Sequence, residues 1–97
     1  MAMQDLLTKA RLWIRRSENT LDGEILQTLE AGWKDMEIRG ILNMDASDAL
    51  VQQALKLYLK SEFGFGDEKG KFKSRYEDLR DAMSLSSDYN TKKHGET

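Results

Sequence analysis

Apolar residues fall along this chain in four groups, each spaced as one face of a helix. In the first group Leu6, Leu7, Ala10, Trp13 and Ile14 recur three and four residues apart, which predicts a helix over about residues 3 to 14. Asp5 stands in its first turn and Arg11, Arg15 and Arg16 near its end, the signs that complement the helix macrodipole. Ser17 to Thr20 breaks the pattern, and Asn19 or Thr20 is placed to cap a second helix from about 21 to 39. Ile25, Leu29, Gly32, Trp33 and Met36 share its apolar face, with Leu26 beside it. A glycine inside a helix costs about 1 kcal/mol against alanine. Gly32 therefore points to a neighbouring helix that comes close at that position. Gly40 fits the left-handed position that ends a helix.

Ile41 to Met44 forms an apolar connection, and Ser47 or Asp45 is placed to cap a third helix over about 48 to 63. Leu50, Val51, Ala54, Leu55, Tyr58 and Leu59 make the broadest apolar face in the chain, so this helix is expected to be the most buried. Phe63-Gly64-Phe65-Gly66 ends it, with glycines for backbone freedom and aromatics to pin the turn. Phe72, Tyr76, Leu79 and Met83 predict a fourth helix over about 68 to 84. From Ser86 onward the chain is polar and aperiodic and reads as a flexible tail, with Leu85 and Tyr89 as its anchors. The expected fold is all-α: a small bundle of about four helices over 1–85, with a polar tail over 86–97.

Composition narrows what such a bundle does. Fifteen basic and seventeen acidic residues leave a net charge of -2, whereas a protein that grips phosphates carries a basic excess. The absence of proline favours long helices. The absence of cysteine excludes disulfides and thiolate-bound zinc. No apolar run approaches the roughly 20 residues that span a bilayer, and the N-terminus has no signal-peptide pattern.

Chemistry-bearing motifs are scarce in the chain. His94, the single histidine, lies in the expected tail without a nucleophile beside it. Asp45, Asp48 and Asp67 match no EF-hand loop and no Glu-x-x-His pair, so they read as caps and solvated acids. Gly64-Phe65-Gly66 follows no strand and precedes no Gly-Lys-Ser/Thr, which leaves a helix break and no phosphate loop. No catalytic, metal or cofactor-binding residue is expected.

Two basic clusters remain: Lys9, Arg11, Arg15 and Arg16, and Lys69, Lys71, Lys73 and Arg75. Arg11 and Arg15 would share a helical face able to meet phosphates. The acidic balance favours a solvated or protein-facing role for both clusters. A helix-turn-helix reading fails because Asp45 and Asp48 stand where the reading helix would enter a groove. Trp13 and Trp33 fit their apolar stripes and are expected to be buried, although tryptophan also anchors interfaces.

Taken in order, four blocks resemble the small phage head–tail connector (adaptor) proteins, also labelled phage DNA-packaging proteins. They are Lys9-Ala10-Arg11-Leu12-Trp13-Ile14, then Leu21-Asp22-Gly23-Glu24-Ile25 with Asp35-Met36-Glu37-Ile38-Arg39-Gly40. Asp48-Ala49-Leu50-Val51-Gln52-Gln53-Ala54-Leu55-Lys56-Leu57-Tyr58 follows, then Phe72-Lys73-Ser74-Arg75-Tyr76-Glu77-Asp78-Leu79 with Ser84-Leu85-Ser86-Ser87-Asp88-Tyr89. Trp13-Ile14 departs from the Leu-Arg-Ile wording usual in the family. The likeness spans about residues 5 to 89.

The resemblance implies a subunit of a ring of about a dozen copies, assembled in the host cytoplasm and placed under the portal at the virion head–tail junction. Such a ring extends the DNA channel and docks the stopper or tail-completion protein. Double-stranded DNA would pass without sequence reading, and no membrane is involved. Arg11, Arg15, Arg16, Trp13, Trp33, Leu85 and Tyr89 are the candidate subunit or partner contacts. A small DNA-binding or terminase-associated packaging protein is the alternative, and a dimeric helical regulator or toxin–antitoxin partner a third reading.

Overall fold

A computed structural model describes residues 3–15, 21–64 and 67–91. A 3-10 turn at Met3–Leu6 leads into α1 (Leu7–Trp13), followed by α2 (Asp22–Ile38), α3 (Ala49–Phe63), α4 (Glu68–Ser84) and a short α5 (Ser87–Asn90). The fold is all-α, and the four longer helices fall where the apolar spacing places them. Asn19, Thr20, Phe65 and Gly66 lie outside the described residues.

α3 is the hub. It packs against α1, α2 and α4, and it contributes Val51, Ala54, Leu55, Leu57 and Leu59 to the core. Ile25, Leu29 and Met36 of α2 meet it from one side, and Tyr76 and Met83 of α4 from the other. Leu6 and Ala10 complete the core beneath α1. Leu50 departs from the expected face: it sits in the first turn of α3 and is exposed, while Leu57 is buried.

Local chemistry sets the helix ends. Arg39 closes α2 and Gly40 follows with φ of +93°, the left-handed conformation glycine adopts without a Cβ penalty. Gly40 N–H donates to the Glu37 carbonyl and Ile41 N–H to the Met36 carbonyl, both at 3.0 Å. With Met36 and Ile41 both fully buried, this is a complete Schellman ending. Asp48, rather than Ser47 or Asp45, caps α3: its Oδ1 accepts from Leu50 N–H at 2.8 Å and Val51 N–H at 3.1 Å. Its extended backbone (ψ 134°) turns the side chain back onto the first turn, while Asp45 accepts from Ser47 N–H and Oγ–H in a turn of its own.

α1 ends earlier than expected. Ile14 is its C-cap, and Arg15 follows with φ of +59°, unusual for a residue with a Cβ. Arg15 therefore leaves the helix and does not share a helical face with Arg11. The chain from Ser86 also differs from a free tail. Leu42 N–H and Asn43 N–H both donate to the Tyr89 carbonyl, at 2.8 and 3.0 Å, and Asn43 Nδ2 donates to the Asp88 carbonyl at 2.8 Å. Residues 86 to 91 thus fold back on the connection between α2 and α3, and residues 92–97, His94 among them, lie outside the described residues.

Candidate protein-interaction site

Because α2 and α4 both end where α3 begins, one end of the molecule gathers the α2–α3 connection, the first turn of α3, the last turn of α4 and α5. Among the described residues this end holds four of the five large apolar side chains left in water: Ile38, Leu42, Leu50 and Leu85. Leu85 is 84% exposed and Ile38 74%, values that no intramolecular packing explains. Leu85, an expected anchor of the tail, instead closes α4 with its side chain exposed. Glu37, Asp45, Asp81 and Asp88 are exposed at the same end, two of them ion-paired: Glu37 with Lys34 at 3.4 Å and Asp81 with Arg80 at 3.1 Å.

Tyr89 does the anchoring instead. Half-buried, it donates its hydroxyl hydrogen to the Asp48 carboxylate, with Oδ1 and Oδ2 at 3.0 and 3.1 Å. Burial and then this bond push the phenol above its ordinary pKa. One carboxylate thus caps α3 and holds α5. Asp48→Ala is expected to cost about 1–2 kcal/mol, the range of a lost N-cap. Tyr89→Phe keeps the cap and is expected to cost about 1 kcal/mol or less. Thermal melts of the two variants check the order, and equal losses would show that the cap contributes nothing.

The opposite end is aromatic and carries charge of both signs. Trp13, Ile14 and Arg15 from the end of α1, Lys60 and Phe63 from α3, and Phe72 from α4 surround an open hollow of about 320 Å³. Trp13 is half-buried in this wall rather than sealed in the core. Lys60 holds its ammonium 5.1 Å from the centre of the Phe72 ring, a cation–π contact that leaves an apolar wall with a charged lip. Lys69 and Lys71 are exposed on the first turn of α4 nearby, beside the equally exposed Asp67 and Glu68.

Between the ends lies a polar cluster that the sequence did not reveal. Tyr76 Oη donates to Asp35 Oδ2 at 2.6 Å, and Arg80 Nη1 donates to the same oxygen at 3.1 Å. Arg80 Nε and Nη2 also reach Asp81 Oδ1 at 3.1 Å. The Tyr76 ring meets Tyr58 edge-on at 5.0 Å. Burial, and then the bond to Asp35, raise the Tyr76 pKa far above that of a free phenol. Burial works against the Arg80 charge, but its bonds to Asp35 and Asp81 outweigh it and raise its pKa. The cluster fastens α4 to α2. Its signal was a charged residue four positions after Tyr76 and three before Met83, inside the α4 apolar stripe.

The remaining candidates divide. Arg11 donates through Nε and Nη2 to the two Asp22 oxygens at 2.9 and 2.6 Å, which ties α1 to α2 and withdraws it from a phosphate-facing role. The Arg11 bond holds the Asp22 carboxyl below its ordinary pKa. The tie is therefore intact at neutral pH and is lost only as acid carries the pH down through that depressed value. Trp33 is half-buried against the core, Arg15 is exposed at the lip of the hollow, and Arg16 lies outside the described residues. No three His, Asp or Glu side chains among the described residues converge to hold a metal ion. No helix among them is long and apolar enough to cross a membrane.

Comparison with family models finds none that matches the chain, and neither the curated proteins nor the solved structures contain a match.

Proposed function

We propose that this chain is a structural subunit of a phage head–tail connector, acting by docking other proteins and by no catalysis. Copies form a ring under the portal at the virion head–tail junction, after assembly in the host cytoplasm. The ring extends the channel through which double-stranded DNA passes and presents a platform to the stopper or tail-completion protein. The observation that carries the reading is the apolar end formed by Ile38, Leu42, Leu50 and Leu85. Monomers scatter such residues singly, whereas a set gathered at one end marks a surface meant for another protein. The ordered likeness of four sequence blocks to the connector family supplies the partner. The DNA-binding alternative is weakened by Arg11, whose guanidinium is already taken by Asp22.

Native mass spectrometry of the full chain over a concentration series, alone and with portal rings of the same phage, tests this. A closed species of about a dozen copies, formed alone or on the portal, is the expected result. A stable two-copy species that ignores the portal would overturn the reading and favour a regulator or DNA-binding role.

A further inference from the structure

We infer that residues 86–91 are a strap that opens and closes as one unit on the α2–α3 connection while the helices beneath it stay folded. The inference concerns this chain alone and goes beyond its role in any assembly.

The strap is fastened mainly by polar groups. The Tyr89 carbonyl accepts from Leu42 N–H at 2.8 Å and Asn43 N–H at 3.0 Å, and the Asp88 carbonyl accepts from Asn43 Nδ2 at 2.8 Å. Tyr89 Oη donates to the Asp48 carboxylate, and Asn90 Nδ2 donates to the Ser84 carbonyl at 3.0 Å. No residue of α5 is buried; its apolar contact with the core is made by Tyr89, itself half-buried. Hydrogen bonds within reach of water are exchanged for water bonds at small net cost, whereas ordering a segment costs conformational entropy that burial must offset. The balance that closes the strap is therefore far smaller than the one that joins α2, α3 and α4, whose facing side chains are fully buried.

Opening the strap leaves no helix end undone. α2 ends on its own bonds through Gly40 N–H and Ile41 N–H. α4 ends with Leu85 N–H on the Ala82 carbonyl at 3.2 Å and Ser86 N–H on the Met83 carbonyl at 3.1 Å. Asp48 Oδ1 still accepts from Leu50 N–H and Val51 N–H, so α3 keeps its cap when Tyr89 leaves. Leu42 is exposed and Asn43 half-buried, so water takes over the N–H groups that the strap releases. Ser86, extended at ψ 131° between α4 and α5, is the joint. A segment whose departure leaves nothing else unsatisfied can open by itself, as the least stable units of a fold do.

Once open, the strap bares the Leu42 and Asn43 N–H groups, the Asn43 amide and one edge of Asp48, close to the exposed Leu42 and Leu50 side chains. The state of the strap thus decides whether the apolar end offers free main-chain donors or α5 in their place.

Hydrogen exchange of the full-length protein, followed residue by residue by NMR over a urea series below the unfolding midpoint, reads this opening directly. The Leu42 and Asn43 amides are expected to be protected relative to an unstructured peptide. They should nonetheless exchange about a hundredfold or more faster than those of Leu55 and Leu59 on the buried face of α3, at rates that urea barely changes. Tyr89→Phe is expected to speed exchange at Leu42 and Asn43 about two- to fivefold, the effect of one hydrogen bond. Asn90→Ala removes the side-chain bond to Ser84, which involves neither Leu42 nor Asn43. A similar acceleration at those two amides in this variant is expected, and reports the segment moving as one.

Equal rates and equal urea slopes at Leu42, Asn43, Leu55 and Leu59 would overturn the inference, because the strap would then open only with the whole molecule. Exchange at Leu42 and Asn43 as fast as in an unstructured peptide overturns it from the other side, since the strap would have no closed state. If Asn90→Ala leaves both amides unchanged, the bonds break separately and residues 86–91 are not a unit.

Discussion

Replacing Asp35 with alanine is expected to destabilise the protein by about 2–3 kcal/mol, a large fraction of the roughly 5–15 kcal/mol that holds a domain folded. The reason lies in what the substitution leaves behind. Asp35 Oδ2 accepts from both Tyr76 Oη and Arg80 Nη1, and every buried side-chain polar atom among the described residues has a partner. Without the carboxylate, the Tyr76 hydroxyl and one arm of Arg80 lose their acceptor in a place that water barely reaches: the Arg80 side chain is 9% exposed. Breaking a buried ion pair from one side costs about 3–5 kcal/mol. Two facts bring the figure down here. Asp35 is itself 33% exposed, and Asp81 still holds the other edge of the guanidinium. Arg80→Met should cost less, because it removes the buried charge and leaves a carboxylate that water can solvate. Urea melts decide the matter: a lower midpoint at unchanged slope is expected for Asp35→Ala. A midpoint equal to wild type, or a greater loss for Arg80→Met, would show that the cluster does not hold α4 to α2.

That cluster depends on contacts between helices that no local pattern encodes. Periodicity places a residue on a face, and it placed Ile25, Leu29, Met36, Tyr76 and Met83 in the core because their spacing follows the helical repeat. It cannot say which charge on one helix meets which on another. Asp35 and Arg80 are 45 residues apart, and only the docking of α4 near α2 joins them. The same limit explains Arg11: its position near the end of α1 fits the macrodipole argument, but its partner Asp22 lies across a break in the pattern. Asp45, Ser47 and Asp48 are all good capping residues, and composition could not choose among them. The backbone chose Asp48 by extending there.

The candidate interaction site was the least legible part for a related reason. Ile38, Leu50 and Leu85 stand in or beside the last or first turn of a helix, and Leu42 in the connection between two, where one apolar residue more or less does not alter a stripe. Leu50 read as core for that reason. Leu85 and Tyr89 looked alike as apolar residues in a polar stretch, yet one is exposed and the other is pinned to Asp48. What separates them is a hydroxyl within reach of a carboxylate 41 residues away, and no local pattern carries that information.

Gly32 is the position where sequence and structure agree most closely, and Gly32→Leu is expected to cost about 3 kcal/mol, near the top of the usual range for overpacking. A Cβ at this position would stand 2.9 Å from Tyr58 Cδ2, 3.1 Å from Tyr58 Cγ and 3.2 Å from Leu55 Cδ2. None of these neighbours retreats easily. Leu55 is fully buried, and the Tyr58 ring is backed edge-on by Tyr76, whose hydroxyl Asp35 holds. Gly32→Ala separates the two opposing terms. Helix propensity favours the alanine by about 1 kcal/mol, the contact with Tyr58 opposes it by about 2 kcal/mol, and a net loss of about 1 kcal/mol should remain. Gly70→Ala in α4 is the control, because a Cβ there meets nothing within 4 Å. It is expected to stabilise by about 0.5–1 kcal/mol through propensity alone. The same chemical change should therefore carry opposite signs on two helices of one protein. If thermal melts show both alanines stabilising, α2 and α3 do not pack as closely as the glycine implies, and the interlock of Tyr58, Tyr76 and Asp35 behind it loses its support.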